Sequence, residues 1–273
     1  MTQSSKIRRF LQLQFQAHPW HGIAAQPSHG RPKQDGAPHI HGSSMPLIGD
    51  LFHAFIELTP TDGVKYEVDK ETGHIKVDRP QKFSNLCPTL YGFIPRTYCG
   101  KRSGDFCSQQ LDRTGIEGDG DPLDICVLTE KPIGHTGIIV MARPIGGLRM
   151  IDGNEADDKI VAVLEGDVTY GHLRSIEDLP PGLLDRLRQY FLTYKMPPPN
   201  LKADGTVATA LPQMAVEIPQ VYGREEALKV INHSLEDYMD NYGAHHEDLA
   251  QFLFDLAHTV NDHSRAVATG DPV

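Results

Sequence analysis

The stretch from which the rest of the chain can be interpreted reads Gly118-Asp119-Gly120-Asp121-Pro122-Leu123-Asp124-Ile125-Cys126-Val127-Leu128. Its three carboxylates lie within six residues and lead into an apolar segment typical of a buried strand. The glycines allow a tight turn, and the proline restricts the backbone between the second and third carboxylates. Carboxylates this close repel one another unless cations lie among them. The run therefore predicts hard divalent metal ions, with Mg²⁺ favoured where a phosphate supplies further ligands.

Other interpretations of acidic runs stay open at this point. Asp-Gly-Asp also occurs in turns whose side chains satisfy backbone donors. A calcium loop of the EF-hand type is disfavoured, because its spacing and terminal Glu are missing. A second acidic group follows, comprising Asp152, Glu155, Asp157 and Asp158. Alone it favours a solvated turn, but two acidic turns at the edge of one small barrel can converge and hold several metals.

Composition limits the class of protein. The 273 residues, of which 39% are hydrophobic and 23% charged, suffice for one large domain or two small ones. A formal net charge of −10 argues against nucleic acid or a membrane as the main partner, although bound cations would still allow an anionic substrate. The four cysteines form no C-x-x-C pair. No signal peptide and no stretch of about 20 apolar residues is found. We expect a cytoplasmic protein.

Changes in composition and hydrophobic pattern along the chain predict three regions. Residues 1–46 are expected to form an N-terminal strand and an arm rich in His, Pro and Gly. The histidines of the arm are typical either of a soft-metal site or of a solvated loop. Residues 47–223 are expected to form a barrel domain, including a helix at 181–195, and residues 224–273 a helical extension packed on the barrel.

Strands are predicted from alternating or apolar runs. Val64–Val68 and His74–Asp78 alternate in polarity, and Asp69–Gly73 between them predicts a hairpin turn. Further short strands, which together suggest a sheet closed on itself, are predicted at Leu51–Leu58, Leu123–Leu128, Gly137–Ala142, Gly147–Ile151 and Lys159–Leu164. The polar, glycine-bearing residues 97–118 predict a long loop.

Helices are predicted late in the chain. Prolines at both ends delimit the amphipathic helix 181–195. The apolar spacing from Ala227 to Tyr238 predicts a second helix, which Gly243 is expected to end, and the spacing from Leu249 to Val260 predicts a third.

Between Glu57 and Lys195 the sequence resembles the family I soluble inorganic pyrophosphatases, block by block and in the same order. Its most specific block, Gly118–Asp124, matches the family signature D-x-D-P-x-D. The other matching blocks are Lys65-Tyr66-Glu67 with Asp69-Lys70, Val77-Asp78-Arg79, Tyr91-Gly92-Phe93-Ile94-Pro95, Arg149-Met150-Ile151-Asp152, Asp157-Asp158-Lys159 and Tyr194-Lys195.

The resemblance implies a fold and a reaction. The fold is mainly β with flanking α-helices, built on an OB-like, five-stranded twisted β-barrel. The reaction is Mg²⁺-dependent hydrolysis of inorganic diphosphate to two orthophosphates by a metal-activated water, which makes the protein a phosphoric anhydride hydrolase. Several Mg²⁺ ions are implied, for which Mn²⁺ or other divalent ions can substitute. The family also implies a homo-oligomer.

The resemblance further implies site roles. Asp121 would be the general base that takes a proton from the attacking water. The implied metal ligands are Asp119, Asp124, Asp152, Asp157 and Glu67. The implied phosphate contacts are Lys65, Arg79, Tyr91, Lys159, Tyr194 and Lys195. Glu57 matches the family's first-strand Glu, but its spacing to Lys65 is one residue short. For Tyr194, core packing is the alternative role.

Two departures from the family pattern and two competing functions are noted. Cys87 stands where many bacterial members have Tyr, and Gly153 where many have Glu. A metal-binding protein that keeps the fold without catalysis is one alternative, against which the complete acidic core argues. A phosphohydrolase for nucleotides or polyphosphate is the other. The absence of a P-loop and of an evident aromatic platform for a base argues against it.

Overall fold

The structure is a computed structural model that describes residues 17–27, 50–82, 85–195 and 216–269, with the backbone alone described for residues 247 and 249–269. The strand predicted near the N-terminus lies outside the described residues. The division of the chain at residues 46 and 223 stays a prediction.

The described residues form ten strands and three α-helices. The elements are β1 Phe52–Leu58, β2 Val64–Val68, β3 Ile75–Pro80, β4 Leu90–Phe93, α1 Lys101–Leu111, β5 Glu117–Gly118, β6 Asp124–Leu128, β7 Ile138–Asp152, β8 Glu155–Ala156, β9 Lys159–Leu164, α2 Pro181–Thr193, β10 Val216–Gly223 and α3 Arg224–Thr269. Within the described ranges, no helix is both long and apolar enough to cross a membrane.

Five strands form a closed ring in the order β1-β4-β6-β9-β7. The ring closes because β7 pairs antiparallel with both β9 and β1. Strands β6 and β9 run parallel, with Asp124 opposite Lys159, and the other neighbours in the ring are antiparallel. Strands β2 and β3 form the predicted hairpin beside the ring. The expected OB-like, five-stranded fold with flanking helices is confirmed.

Strand β7 is longer than the sequence indicated. Its 15 residues pair with β1 near the start and with β10 near the end. The prediction of two short strands, Gly137–Ala142 and Gly147–Ile151, is wrong. The register of β7 against β9 shifts between Pro144 and Gly146. A proline that cannot donate to the ladder is tolerated at such a bulge, so the strand bends there and continues.

The loop predicted at residues 97–118 contains helix α1, so that prediction is wrong. The first backbone N–H groups of a helix lack partners within the helix. In α1 the carboxylate of Asp237, on α3, accepts hydrogen bonds from the N–H groups of Gly100, Arg102 and Ser103 at 2.9–3.0 Å. The side chain that stabilises the start of α1 thus comes from a distant part of the chain, which a local polar pattern does not reveal.

Two further differences concern the C-terminal part of the chain. Helix α3 runs unbroken from Arg224 to Thr269, so the prediction that Gly243 separates two helices is wrong. Glycine within a helix costs roughly 1 kcal/mol relative to alanine, which weakens a helix without ending it. Strand β10, which no sequence pattern predicted, pairs with β7 directly before α3. The predicted helix at 181–195 is confirmed as α2, which ends at Thr193.

Strand β6 shows how the core fixes the ring. Ile125 and Val127 belong to an apolar cluster that includes Val230 of α3, whereas Cys126 belongs to a second cluster that includes Phe191 of α2. Successive side chains of a strand point to opposite faces, so β6 is buried on both. This explains the continuous apolar run after the acidic residues, and it ties the position of Asp124 to the core on either side.

Candidate active site

One cleft of about 240 Å³ gathers the residues that the sequence singled out. All thirteen predicted site residues line it: Glu57, Lys65, Glu67, Arg79, Tyr91, Asp119, Asp121, Asp124, Asp152, Asp157, Lys159, Tyr194 and Lys195. It is also lined by Trp20, Val68, Lys70, Phe93, Pro122 and Glu155. Neither Cys87 nor Gly153 belongs to the lining, so the two departures from the family pattern do not alter the cleft wall directly.

A buried lysine lies at the centre of the cleft. Asp124 begins β6 and Lys159 begins β9, and the parallel register places them opposite each other. The ammonium of Lys159, which is 1% exposed, contacts the carboxylates of Asp124 and Asp157. Burial alone would lower the pKa of Lys159, but the two carboxylates outweigh burial and hold the pKa well above its usual value. Lys159 therefore carries a positive charge fixed between two acidic side chains.

The neighbouring carboxylates are more numerous than this lysine can neutralise. Burial and the Asp157 carboxylate raise the pKa of Asp119 to about 8. Burial also raises the pKa of Asp124, against the opposing effect of Lys159. The hydroxyl of Tyr91 donates a hydrogen bond to Asp124 Oδ2 at 2.5 Å. A divalent cation beside these oxygens would offset the cost of burying their charge, so the donor set fits Mg²⁺.

The donors are not gathered around a cation position. Over the ranges that the structure describes, no three or more His, Cys, Asp or Glu side chains are grouped as ligands of one metal ion. In the cleft, lysine ammonium groups contact the carboxylates instead. The described part of the N-terminal arm holds no such group either, and there His21 Nδ1 is paired with the hydroxyl of Tyr238 at 2.8 Å.

The acidic turn is held in place by the segment before α1. The N–H of Gly120 donates to the carbonyl of Cys99 at 2.9 Å, and the N–H of Cys99 donates to the carbonyl of Asp121 at 2.8 Å. A Cβ at Gly118 would lie 2.2 Å from the Cys99 carbonyl oxygen, so only glycine allows this approach. Gly120 has a φ of +74°, which also favours glycine.

The turn interpretation of the acidic run proves compatible with the site. Asp119 Oδ1 accepts a hydrogen bond from the backbone N–H of Asp121 at 2.9 Å, as an Asx turn requires. The same bond orients the Asp119 carboxylate at the cleft. Asp-Gly-Asp here forms a turn and also supplies two side chains of the cleft wall.

Every cationic side chain of the cleft contacts a carboxylate. The pairs besides those of Lys159 are Lys65–Glu67, Lys70–Asp121, Arg79–Asp78 and Lys195–Asp152. Eight carboxylate residues and five cationic residues line the cleft, so its formal charge is negative. A polyanion would be repelled by this wall unless cations entered with it.

Glu57 lies at the back of the cleft. Its Oε1 accepts a hydrogen bond from the backbone N–H of Val68 at 2.6 Å, and burial raises its pKa to about 8. This bond ties β1 to the end of β2, the strand that carries Lys65 and Glu67. Glu57 therefore positions the hairpin, whatever further role it has.

Tyr194 lies both in the core and at the cleft, so its position is compatible with either role that the sequence left open. It is buried with Phe191, their ring centroids 5.8 Å apart, and it also lines the cleft. The guanidinium carbon of Arg79 lies 5.8 Å from the centre of its ring, and the Lys195 ammonium lies 5.3 Å from it. Tyr194 thus joins core packing to the cationic side of the cleft.

Six side chains of the cleft have no site role predicted from the sequence, among them Lys70, Glu155 and Trp20. Lys70 was part of a matching block, and Glu155 was part of the second acidic group, so a signal existed for both. Trp20 lies in the N-terminal arm, where no pattern marked it. It is fixed by a hydrogen bond from its indole N–H to the carbonyl of Thr97 at 2.7 Å and by its carbonyl, which accepts from the N–H of Arg96 at 2.9 Å.

Comparison with known proteins adds an independent observation. Residues 54–239 match the sequence profile of the family described as inorganic pyrophosphatase. The chain is 50% identical over 225 residues to an inorganic pyrophosphatase of Chlamydia trachomatis, covering 81% of this chain and 94% of the relative. It is 34% identical to soluble inorganic pyrophosphatase 1 of Arabidopsis thaliana, covering 82% of this chain and 81% of that relative.

The fold is similar to that of solved structures as well. The crystal structure of inorganic pyrophosphatase from Thermus thermophilus aligns with a TM-score of 0.53 at 30% identity, covering 72% of this chain and 94% of that chain. The enzyme from Neisseria gonorrhoeae gives the same TM-score at 29% identity, covering 70% and 92%.

Proposed function

Because this chain belongs to the inorganic pyrophosphatase family and hydrolyses inorganic diphosphate, we propose that the reaction takes place in the cleft at the acidic turn Asp119–Asp124. The observation that carries the proposal is the convergence of all thirteen predicted site residues on that cleft. Hydrolysis adds water across the bridging P–O–P bond and releases two orthophosphates. The cleft must therefore hold a polyanion, supply a water and accept its proton.

The cation ligands in this proposal are Asp119, Asp124, Asp152, Asp157 and Glu67. The raised pKa values of Asp119 and Asp124 and the negative formal charge of the wall support them. Mg²⁺ is the proposed ion, and Mn²⁺ or another divalent ion can replace it. Such ions, when bound, neutralise phosphoryl oxygens and lower the pKa of the attacking water.

Asp121 takes the proton of the attacking water. Its side chain is half-exposed at the cleft, and its backbone is fixed through Cys99. An ionised carboxylate suffices as base when the pKa of the water is lowered. Lys70 contacts Asp121 Oδ1 at the cleft.

The phosphate groups are bound by Lys65, Arg79, Tyr91, Lys159, Tyr194 and Lys195. Carboxylates hold the cationic members of this set at the cleft before substrate arrives. The cations are therefore preorganised for the charge that develops in the transition state. Lys195 and Arg79, both beside the Tyr194 ring, form one side of this surface.

The proposal also covers the setting of the enzyme. The enzyme binds inorganic diphosphate and has neither nucleic acid nor a membrane as a partner. It works in the cytoplasm as a homo-oligomer. The net charge of −10 argues against nucleic acid or a membrane as a partner. The four free, buried cysteines are consistent with a reducing compartment.

A substrate panel tests the function. Purified protein with Mg²⁺ is given diphosphate, triphosphate and ATP, and released orthophosphate is measured at equal substrate concentration. Diphosphate should be hydrolysed fastest, and excess chelator should abolish the release. Faster hydrolysis of ATP or triphosphate would contradict the proposed substrate, and full activity in chelator would contradict the role of divalent ions.

A further inference from the structure

A fully buried arginine lies behind the cleft, outside its lining. Arg149, on β7, is 0% exposed, and its guanidinium carbon lies 4.9 Å from the ring centre of Tyr222 and 5.4 Å from that of Phe106. Its Nη2 contacts Glu226 at the start of α3, and its Nη1 lies 3.4 Å from Asp158 Oδ2. A charged group thus occupies a position where an apolar side chain would be expected.

Asp158 stands between two residues of the cleft. Asp157 and Lys159 line the cleft, whereas Asp158 is buried and is not part of the lining. Because neighbouring side chains of an extended segment point to opposite faces, Asp158 is directed to Arg149 while its two neighbours are directed to the cleft. The orientation of Asp158 and that of Asp157 are thus coupled through one short stretch of backbone.

Strand β7 holds this stretch at two adjacent residues. The N–H of Asp157 donates to the carbonyl of Met150 at 3.0 Å, and the side chain of Arg149 faces Asp158. One contact fixes the backbone and the other fixes the side chain on the far side. Together they restrict the rotation that would turn Asp157 away from the cleft.

We infer that Arg149 is a positioning residue, which acts through Asp158 to hold Asp157 in the orientation that binds a divalent cation; this rests on the role of Asp157 in the proposed function. A buried ion pair contributes little net stability, because desolvation offsets the attraction. Stability alone therefore does not account for Arg149. Groups that orient ligand carboxylates typically change metal affinity when removed.

The chain offers a matched control on the same strand. Arg143 is also buried and ion-paired, with Glu165 and Asp50, and its Nη1 donates to the carbonyl of Gly171 at 2.9 Å. None of these partners lines the cleft. Arg143→Met and Arg149→Met therefore remove the same charge from similarly buried positions, and only the second removes a contact to the residue beside Asp157.

The experiment measures Mn²⁺ binding to the substrate-free protein by electron paramagnetic resonance, with the unfolding midpoint recorded for each variant. Arg149→Met and Asp158→Asn should each weaken Mn²⁺ binding by about 10–100-fold. Arg143→Met should leave the Mn²⁺ affinity close to that of the wild type, even if its unfolding midpoint falls by as much as that of Arg149→Met. In the double variant Arg149→Met/Asp158→Asn, the fold-loss in Mn²⁺ affinity should be less than the product of the two single losses, because both substitutions remove the same contact.

Asp157→Asn separates the possible failures. If Asp157→Asn binds Mn²⁺ as the wild type does, the proposed ligand set is wrong, and the inference falls with it. If Asp157→Asn binds weakly but folded Asp158→Asn binds normally, the ligand set stands and the positioning role of Arg149 is refuted. Asp158→Asn changes one oxygen to nitrogen, so it decides the matter even if Arg149→Met does not fold.

Discussion

Asp237 on helix α3 caps helix α1 through Ser103, which donates both its backbone N–H and its hydroxyl to Asp237 Oδ2, each at 2.9 Å. The two residues are 134 positions apart. The segment just before α1 carries Cys99, whose N–H and carbonyl hold the acidic turn. A single buried carboxylate on α3 therefore supports a chain of contacts that ends at Asp121.

Replacing Asp237 should destabilise the protein. Asp237→Ala leaves the N–H groups of Arg102 and Ser103 without their partner, and we expect a loss of about 1–3 kcal/mol in the free energy of unfolding. Chemical denaturation followed by circular dichroism measures it. Asp240→Ala, an exposed position on the same helix, is the control and should change much less. Equal losses in the two variants would contradict the capping role.

Removing the proposed base should slow catalysis strongly without unfolding the protein. Asp121→Asn should lower kcat for diphosphate by about 10²–10⁴-fold, the usual contribution of a general base. Asp105→Asn, an exposed aspartate on α1 outside the cleft, should keep wild-type kcat. A folded Asp121→Asn variant with normal kcat would show that another group takes the proton.

Adding one methyl group to the acidic turn should lower both the stability of the protein and its activity. Gly118→Ala places a Cβ 2.2 Å from the Cys99 carbonyl oxygen, so the turn must shift. Overpacking of this kind costs about 1–3 kcal/mol, and we expect lower activity with it. Gly182→Ala is the control, since a Cβ there meets nothing within 4 Å. Thermal unfolding and initial rates of phosphate release for both variants check the prediction, which fails if both behave alike.

The pH dependence of stability should contain a contribution from His21. Burial, together with nearby His18, lowers the pKa of His21 from 6.5 to about 4. The unfolded chain therefore binds the proton at higher pH than the folded chain does. The contribution of His21 is fully present above pH 6.5 and is lost progressively as the pH falls towards 4.

Denaturation curves from below pH 4 to above pH 6.5 measure this contribution, because that range brackets the two pKa values. In His21→Gln, the free energy of unfolding should fall less steeply on acidification than in the wild type. Exposed His135→Gln is the control and should follow the wild-type curve. Parallel curves for wild type and His21→Gln would disprove the assignment.

Divalent ions should stabilise the folded chain itself. At a Mg²⁺ concentration about 100 times the dissociation constant, one bound ion raises the free energy of unfolding by about 2.7 kcal/mol. We expect a rise in the unfolding midpoint with MgCl₂ and its reversal by chelator. Sodium chloride of equal ionic strength is the control. Asp124→Asn should reduce the effect, and an equal response to both salts would count against a specific cation site.

The sequence predicted the cleft better than it predicted the helices. The thirteen residues could be named as candidates because the blocks that carry most of them follow the family's order, and most of these blocks contain charged residues in a distinctive spacing. The start of α1 could not be identified, because its capping group is Asp237, far away in the sequence. Contacts with residues far away in the sequence determine where such a helix begins, and the helix propensity of the local sequence does not reveal those contacts.

Other differences have similar physical causes. Pro144 is typical of an interruption, but a bulge accommodates it within β7. Gly243 is a weak helix former, but α3 is continuous through it. Trp20 was not predicted at the cleft because its hydrogen bonds to Thr97 and Arg96, contacts between distant segments, hold it there.

The register of β6 against β9 has a consequence for how the enzyme folds. Asp124 faces Lys159 across a parallel pair, and Ile125 faces Ile160 one step further along. A slip of either strand by one residue would turn that strand over, so its charged side chain would enter the core and its isoleucine would face the cleft. Parallel pairing joins segments distant in sequence and forms slowly. Catalytic activity should therefore return during refolding only when this pairing is complete, which makes the reaction a reporter of the pairing of β6 with β9.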